Sequence, residues 1–146
     1  MSEKQKLAAE VFNSGCNCAQ AVLTSFSDLL KMDKDQLMAV SAGFGGGMGK
    51  LQDTCGAATG AYMVFSIYTS HRTQDNIQAK DESALMIRRF SKRFAEIEGS
   101  TNCKKLIGVN LNTEEGQQEA REKDLFNKIC GRCVSTSVGI VEEIIG

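Results

Sequence analysis

Apolar residues recur at steps of three and four along almost the whole chain. They alternate with polar ones over no sustained stretch, so the pattern predicts helices and no sheet of consequence. Leu7, Ala8, Val11 and Phe12 form a short amphipathic face that stops at Gly15. Ala19, Val22, Leu23, Phe26, Leu29 and Leu30 follow, behind Asn17 with Gln20 three residues on, a capping-box-like start. Asp33 or Asp35 caps a shorter segment, Gln36 to Ala42. The stretch from Cys55 to Tyr68 is apolar nearly all round, which predicts a buried central helix. Gly56 and Gly60 let another backbone approach its first turns. From Ile77 to Ile97, the residues Ile87, Phe90, Phe94 and Ile97 share one face, with Arg88, Arg89, Lys92 and Arg93 mostly off it, and the helix ends at Gly99. A short turn runs from Cys103 to Ile107 and stops at Gly108, and residues 109 to 128 are polar with no clear element. Val134, Val138, Val141 and Ile145 mark the last helix. The predicted fold class is all-α, one bundle of about seven helices with a glycine-rich loop, Gly43 to Gly49, before the buried central helix.

Composition adds bounds on function. The 146 residues make one domain, 42% hydrophobic and 24% charged, large enough to bury a core without staples. A net charge of −1 supplies no global field for nucleic acid or an anionic membrane, so neither is an expected partner. MSEKQKLAAE lacks the apolar region of a signal peptide, and the uncharged stretch from Ala57 to Tyr68 is too short to span a bilayer. The expected compartment is the cytoplasm, where thiols stay reduced and cysteines act as ligands, redox centres or core residues.

The six cysteines carry the candidate chemistry. Cys18, Cys55 and Cys103 follow capping-type residues in Asn17-Cys18, Asp53-Thr54-Cys55 and Asn102-Cys103, and Cys130 follows Asn127 by three. A helix N-terminus offers unpaired N–H groups and a partial positive charge, which favours thiolate over thiol. Cys130-Gly-Arg-Cys133 has the spacing of a redox dithiol. The chain has no proline, however, so the cis-proline that accompanies a thioredoxin-like dithiol is missing. No histidine follows that pair, which excludes c-type haem attachment there.

Five landmarks occur in order: Asn17-Cys-Ala-Gln-Ala-Val-Leu, Phe44-Gly-Gly-Gly-Met-Gly, Cys55-Gly-Ala-Ala-Thr-Gly60, Gly99-Ser-Thr-Asn-Cys103, and Cys130 with Val138 and Val141. Over residues 8 to 145 this succession resembles the C_GCAxxG_C_C family of redox-active proteins. The resemblance implies that Cys18, Cys55, Cys103 and Cys130 are the four shared cysteines. Cys133 rivals Cys130 for the last place, and Cys16 and Cys133 are otherwise extras. It also implies electron transfer or metal–sulfur chemistry with a redox partner it does not name.

The separations within that set are 37, 48 and 27 residues, too dispersed for the tight pairs of a local zinc knuckle. Dispersed cysteines need a folded scaffold, which suits an iron–sulfur cluster or other thiolate-bound metal, or a reversible dithiol. Zinc held by Cys16, Cys18, Cys130 and Cys133, without redox turnover, is the alternative. A site completed only in a homodimer stays open. Gly45, Gly46, Gly47 and Gly49 can present N–H groups to a cofactor, and they serve more simply as a wall of the sulfur pocket. The loop is neither a Walker A sequence, with Phe44 and Leu51 in place, nor a GxGxxG. His71, the one histidine, is expected at a helix C-terminus rather than on a metal.

Overall fold

Polar side chains cap most of the helix starts. The computed structural model describes residues 1–146 and contains nine α-helices, one 3-10 turn and one π-helical turn. Ser2 caps α1 (Glu3–Asn13), and Asn17 caps α2 (Cys18–Thr24) through a reciprocal box with Gln20. A four-residue helix, α3 (Ser27–Leu30), comes next. Asp33, not Asp35, caps α4 (Lys34–Ser41). Cys55 itself stands at the N-cap of α5 (Gly56–Arg72), and Asp75 caps α6 (Asn76–Glu98). Asn102 caps α7 (Cys103–Ile107), Thr113 caps α8 (Glu114–Glu122), and α9 (Arg132–Ile145) continues directly from the π-helical turn Phe126–Gly131. The only strand-like pairing is a single bridge between Thr54 and Asn102.

Nine helices replace the expected seven for two local reasons. The apolar run from Ala19 to Leu30 breaks after Thr24. The hydroxyls of Thr24 and Ser25 bond back to the carbonyls of Gln20 and Val22, each at 2.7 Å, and Phe26 leaves helical geometry at φ −104°. The polar stretch 109 to 128 also holds a helix, α8, which buries only Gly116 and Ala120 and so shows almost no apolar stripe.

Helix α5 is the core element, with Gly56 to Ala61, Val64 and Phe65 all buried. It packs chiefly on α6 and α2, and α9 lies across α1, α6 and α5. Gly60 permits the α2 contact, because a Cβ there would meet the Ala19 carbonyl oxygen at 2.9 Å and Val22 Cβ at 3.0 Å. Phe90 stacks on Phe94 and meets Phe65 edge-on. The buried stripe of α6 differs from expectation at its end: Ile97 is 47% exposed. Glu98, four residues after Phe94, continues the stripe instead, with its side chain only 3% exposed. No helix is long and apolar enough to cross a membrane.

Candidate cysteine site

Four separate elements deliver sulfur to one place. Cys18 is the first residue of α2, brought against the start of α5 because Gly56 has no side chain. A Cβ at Gly56 would stand 3.1 Å from both Cys18 Cβ and the Ala19 nitrogen. The Cys55 N–H donates to the Thr101 carbonyl oxygen at 2.7 Å, and the Cys103 N–H to the Asp53 carbonyl oxygen at 2.6 Å. These bonds flank the Thr54–Asn102 bridge and tie the start of α7 to the start of α5. Cys130 comes from the π-helical turn, a geometry often found at functional sites.

Cys18, Cys55, Cys103 and Cys130 line one cavity of about 560 Å³. Cys16 also lines it, but its sulfur turns to Met38 at 3.8 Å and Ser14 at 3.7 Å. Phe12, Leu111 and Phe126 supply apolar wall, and no charged side chain lines the space. Cys133 is 1% exposed, lies outside the cavity wall and contacts Cys55. Ser137, one turn further along α9, donates to the Ala57 carbonyl oxygen at 2.7 Å and sets that register. All six cysteines are free thiols. No three Cys, His, Asp or Glu side chains are grouped closely enough to share a single metal ion. His71 is exposed in the last turn of α5.

The glycine loop divides between two cavities. Gly46 and Gly47 line the sulfur cavity, whereas Gly45 and Gly49 face a neighbouring one of about 540 Å³ beside Lys50, which Gly46 also lines. The backbone is left-handed at every residue from Gly46 to Lys50, including the non-glycines Met48 and Lys50. Such residues cost roughly 1–2 kcal/mol each, a strain of the kind that clusters at functional sites. Gly47 has no room for a side chain: a Cβ there would lie 2.6 Å from the Asp53 nitrogen and 2.7 Å from Cys103 Cβ. Gln52 anchors the loop's exit, donating to the Val109 carbonyl and accepting from the Leu111 N–H, each at 2.8 Å.

The sulfurs sort into two interacting pairs, Cys18 with Cys130 and Cys55 with Cys133. In the second pair Cys55 is the more acidic thiol and Cys133 the less acidic. The Cys55 thiol is held below its ordinary pKa first by the Cys133 thiol, against burial, and then by the N–H groups of Ala57 and Ala58. The Cys55 side chain makes no capping hydrogen bond at this helix start. Cys133 is raised by Cys55, by burial, and by the negative charge of Glu98. In the first pair Cys130 is lowered and Cys18 raised, each chiefly by the other. Burial, followed by Cys55 and Cys130, pushes Cys103 up to about 12.

Two expectations about the cysteines are corrected here. Cys130 is not at a helix start, because the π-helical turn runs straight into α9. Cys18 and Cys103 do open helices, yet both are less acidic than an ordinary thiol. The helices are seven and five residues long, and burial with neighbouring sulfurs outweighs so short a dipole.

Sequence reasoning missed Glu98, whose carboxylate accepts from Arg132 Nε at 2.8 Å and from Thr136 Oγ1 at 3.1 Å. A carboxylate four residues after Phe94 on an apolar stripe is the signal that would have found it. Phe126 and Leu111, in the polar stretch, offered no such signal.

A family model described as "Putative redox-active protein (C_GCAxxG_C_C)" matches residues 16–144, nearly the whole chain. The chain belongs to this family. Within the C_GCAxxG_C_C match lie all six cysteines, the glycine loop and both thiol pairs. No curated protein and no solved structure matches the chain significantly.

Proposed function

We propose that the protein transfers electrons through a metal–thiolate centre of the iron–sulfur kind, held by Cys18, Cys55, Cys103 and Cys130. The observation that carries this reading is that these four sulfurs, from four separate elements, line a single cavity free of charged side chains. Cysteine thiolates are the usual ligands of such clusters. Sulfurs spread around a cavity, with no three at one point, suit a unit of several atoms better than a lone zinc ion. When bound, a cluster supplies one-electron chemistry to a redox partner. The chain's own contribution is to bring sulfurs from α2, the N-cap of α5, α7 and the π-helical turn to one cavity wall and to place the Ala57 and Ala58 N–H groups at Cys55. Phe12, Leu111 and Phe126 lower the local dielectric, which tunes a potential. A second reading, reversible dithiol chemistry, is favoured by the Cys18–Cys130 pair.

Anaerobic purification followed by absorption spectroscopy and assay of iron and sulfide tests the proposal. A broad visible band with bound iron is expected, lost in Cys103→Ser and kept in Cys16→Ser. A colourless protein with stoichiometric zinc would replace electron transfer with a metal-holding module. A metal-free protein with a Cys18–Cys130 disulfide would establish the second reading.

A further inference from the structure

Cys55 and Cys133 interact with each other but stand differently toward the cavity. Cys55 is part of its wall, whereas Cys133, its neighbour in the same buried core cluster, does not line the cavity. The Cys18–Cys130 pair lacks this asymmetry, since both of its members line the cavity. Thiol–disulfide exchange is a displacement at sulfur, in which the attacking and leaving sulfurs occupy opposite sides of the one attacked. A disulfide entering the cavity can meet Cys55 but not Cys133. The mixed disulfide formed there would have its outer sulfur in the cavity, with Cys133 outside the cavity wall and next to Cys55 as the nucleophile for the second displacement.

We propose that Cys133 is the resolving thiol of Cys55, so that a neutral disulfide-bearing molecule entering the cavity converts the two into an internal Cys55–Cys133 disulfide. The Cys55 thiolate attacks the incoming disulfide RS–SR, forming Cys55–S–SR and releasing RS⁻. Cys133 then attacks the Cys55 sulfur and displaces the second RS⁻, and the two protons of the pair leave on the released thiols. The protein dithiol loses two electrons and two protons, and RS–SR becomes two RSH. A neutral molecule is specified because no charged side chain lines the cavity. Oxidation takes Cys55 out of the set of four cavity sulfurs, so the pair is a redox switch on whatever the cavity holds. The inference goes beyond the metal–thiolate reading and does not depend on it.

The test treats the reduced, metal-free protein with hydroxyethyl disulfide as the probe and maps disulfides by mass spectrometry without reduction. A Cys55–Cys133 cross-link is expected in the wild type. In Cys133→Ala the reaction should stop at a mercaptoethanol adduct on Cys55, and in Cys55→Ser the Cys133 thiol should stay unmodified. Cys55 cross-linked to Cys18 or Cys130 with Cys133 left free would overturn the proposal, as would direct labelling of Cys133 in Cys55→Ser. If Cys133→Ala does not fold, the wild-type map and Cys55→Ser decide. Iron in the protein as isolated bears only on the metal–thiolate reading. A colourless protein that forms the Cys55–Cys133 bond upholds this inference while that reading fails.

Discussion

The hydroxyl of Ser137 donates to the carbonyl oxygen of Ala57 at 2.7 Å, joining residues 80 positions apart in the chain. Both residues are fully buried. The bond locks α9 onto the first turn of α5, and one turn earlier on α9 it places Cys133 beside Cys55.

Removing that hydroxyl in Ser137→Ala should destabilise the fold by about 1–2 kcal/mol, the usual worth of a buried hydrogen bond with an acceptor left behind. Urea unfolding measures it. An unchanged midpoint would mean that packing alone sets the helix register.

Gly47→Ala tests the loop as a wall of the sulfur cavity. The new Cβ would strike backbone at 2.6 Å, and the residue sits at φ +74°. A loss of at least about 2 kcal/mol is expected from the combined clash and strain. Gly43→Ala is the control, with nothing within 4 Å of the added atom, and it should lie within about 0.5 kcal/mol of the wild type.

Cys103 gives the metal-free protein an alkaline sensitivity. Its thiol is pushed up to about 12 in the fold, above the ordinary value of about 8.5 in the unfolded chain. Between these values the folded state keeps a proton that the unfolded state has lost. The contribution is therefore fully present below the unfolded pKa and falls away as pH rises through this window. Unfolding followed from neutral pH upward should show stability declining in that range, and Cys103→Ser should flatten the decline.

Thiol reactivity should follow the pairing rather than exposure alone. In the reduced, metal-free protein Cys55 should alkylate at lower pH than Cys103, despite comparable burial, because only Cys55 is held below the ordinary thiol range. Rates against pH with peptide mapping decide this. A Cys55 that reacts no sooner than Cys103 would make burial the dominant influence on both.

Glu98→Gln should sharpen that contrast. The carboxylate's negative charge opposes the Cys55 thiolate, so neutralising it moves the onset of Cys55 alkylation to lower pH while Gln keeps an acceptor for Arg132 and Thr136. An unchanged onset would show that solvent screens the carboxylate from the pair.

Helix identity in this chain is a local matter, and it is legible residue by residue. Asn17 with Gln20, Asp75, Asn102 and the glycines at 99 and 108 mark the helix ends through contacts within a few positions. The break after Thr24 was hidden because two hydroxyls compete for the helix carbonyls, a choice that apolar spacing does not record. Helix α8 was hidden because it buries almost nothing. The candidate cysteines could be read from their positions after capping residues, but their partners could not. Cys133 meets Cys55 through a bond between Ser137 and Ala57, and Cys103 stands beside Cys55 through backbone bonds between residues 53 to 55 and 101 to 103. The acidity of each sulfur was likewise out of reach. A capping residue reports one nearby dipole, whereas the thiol responds to burial and to charges on helices remote in the chain. Only the assembled fold brings those together.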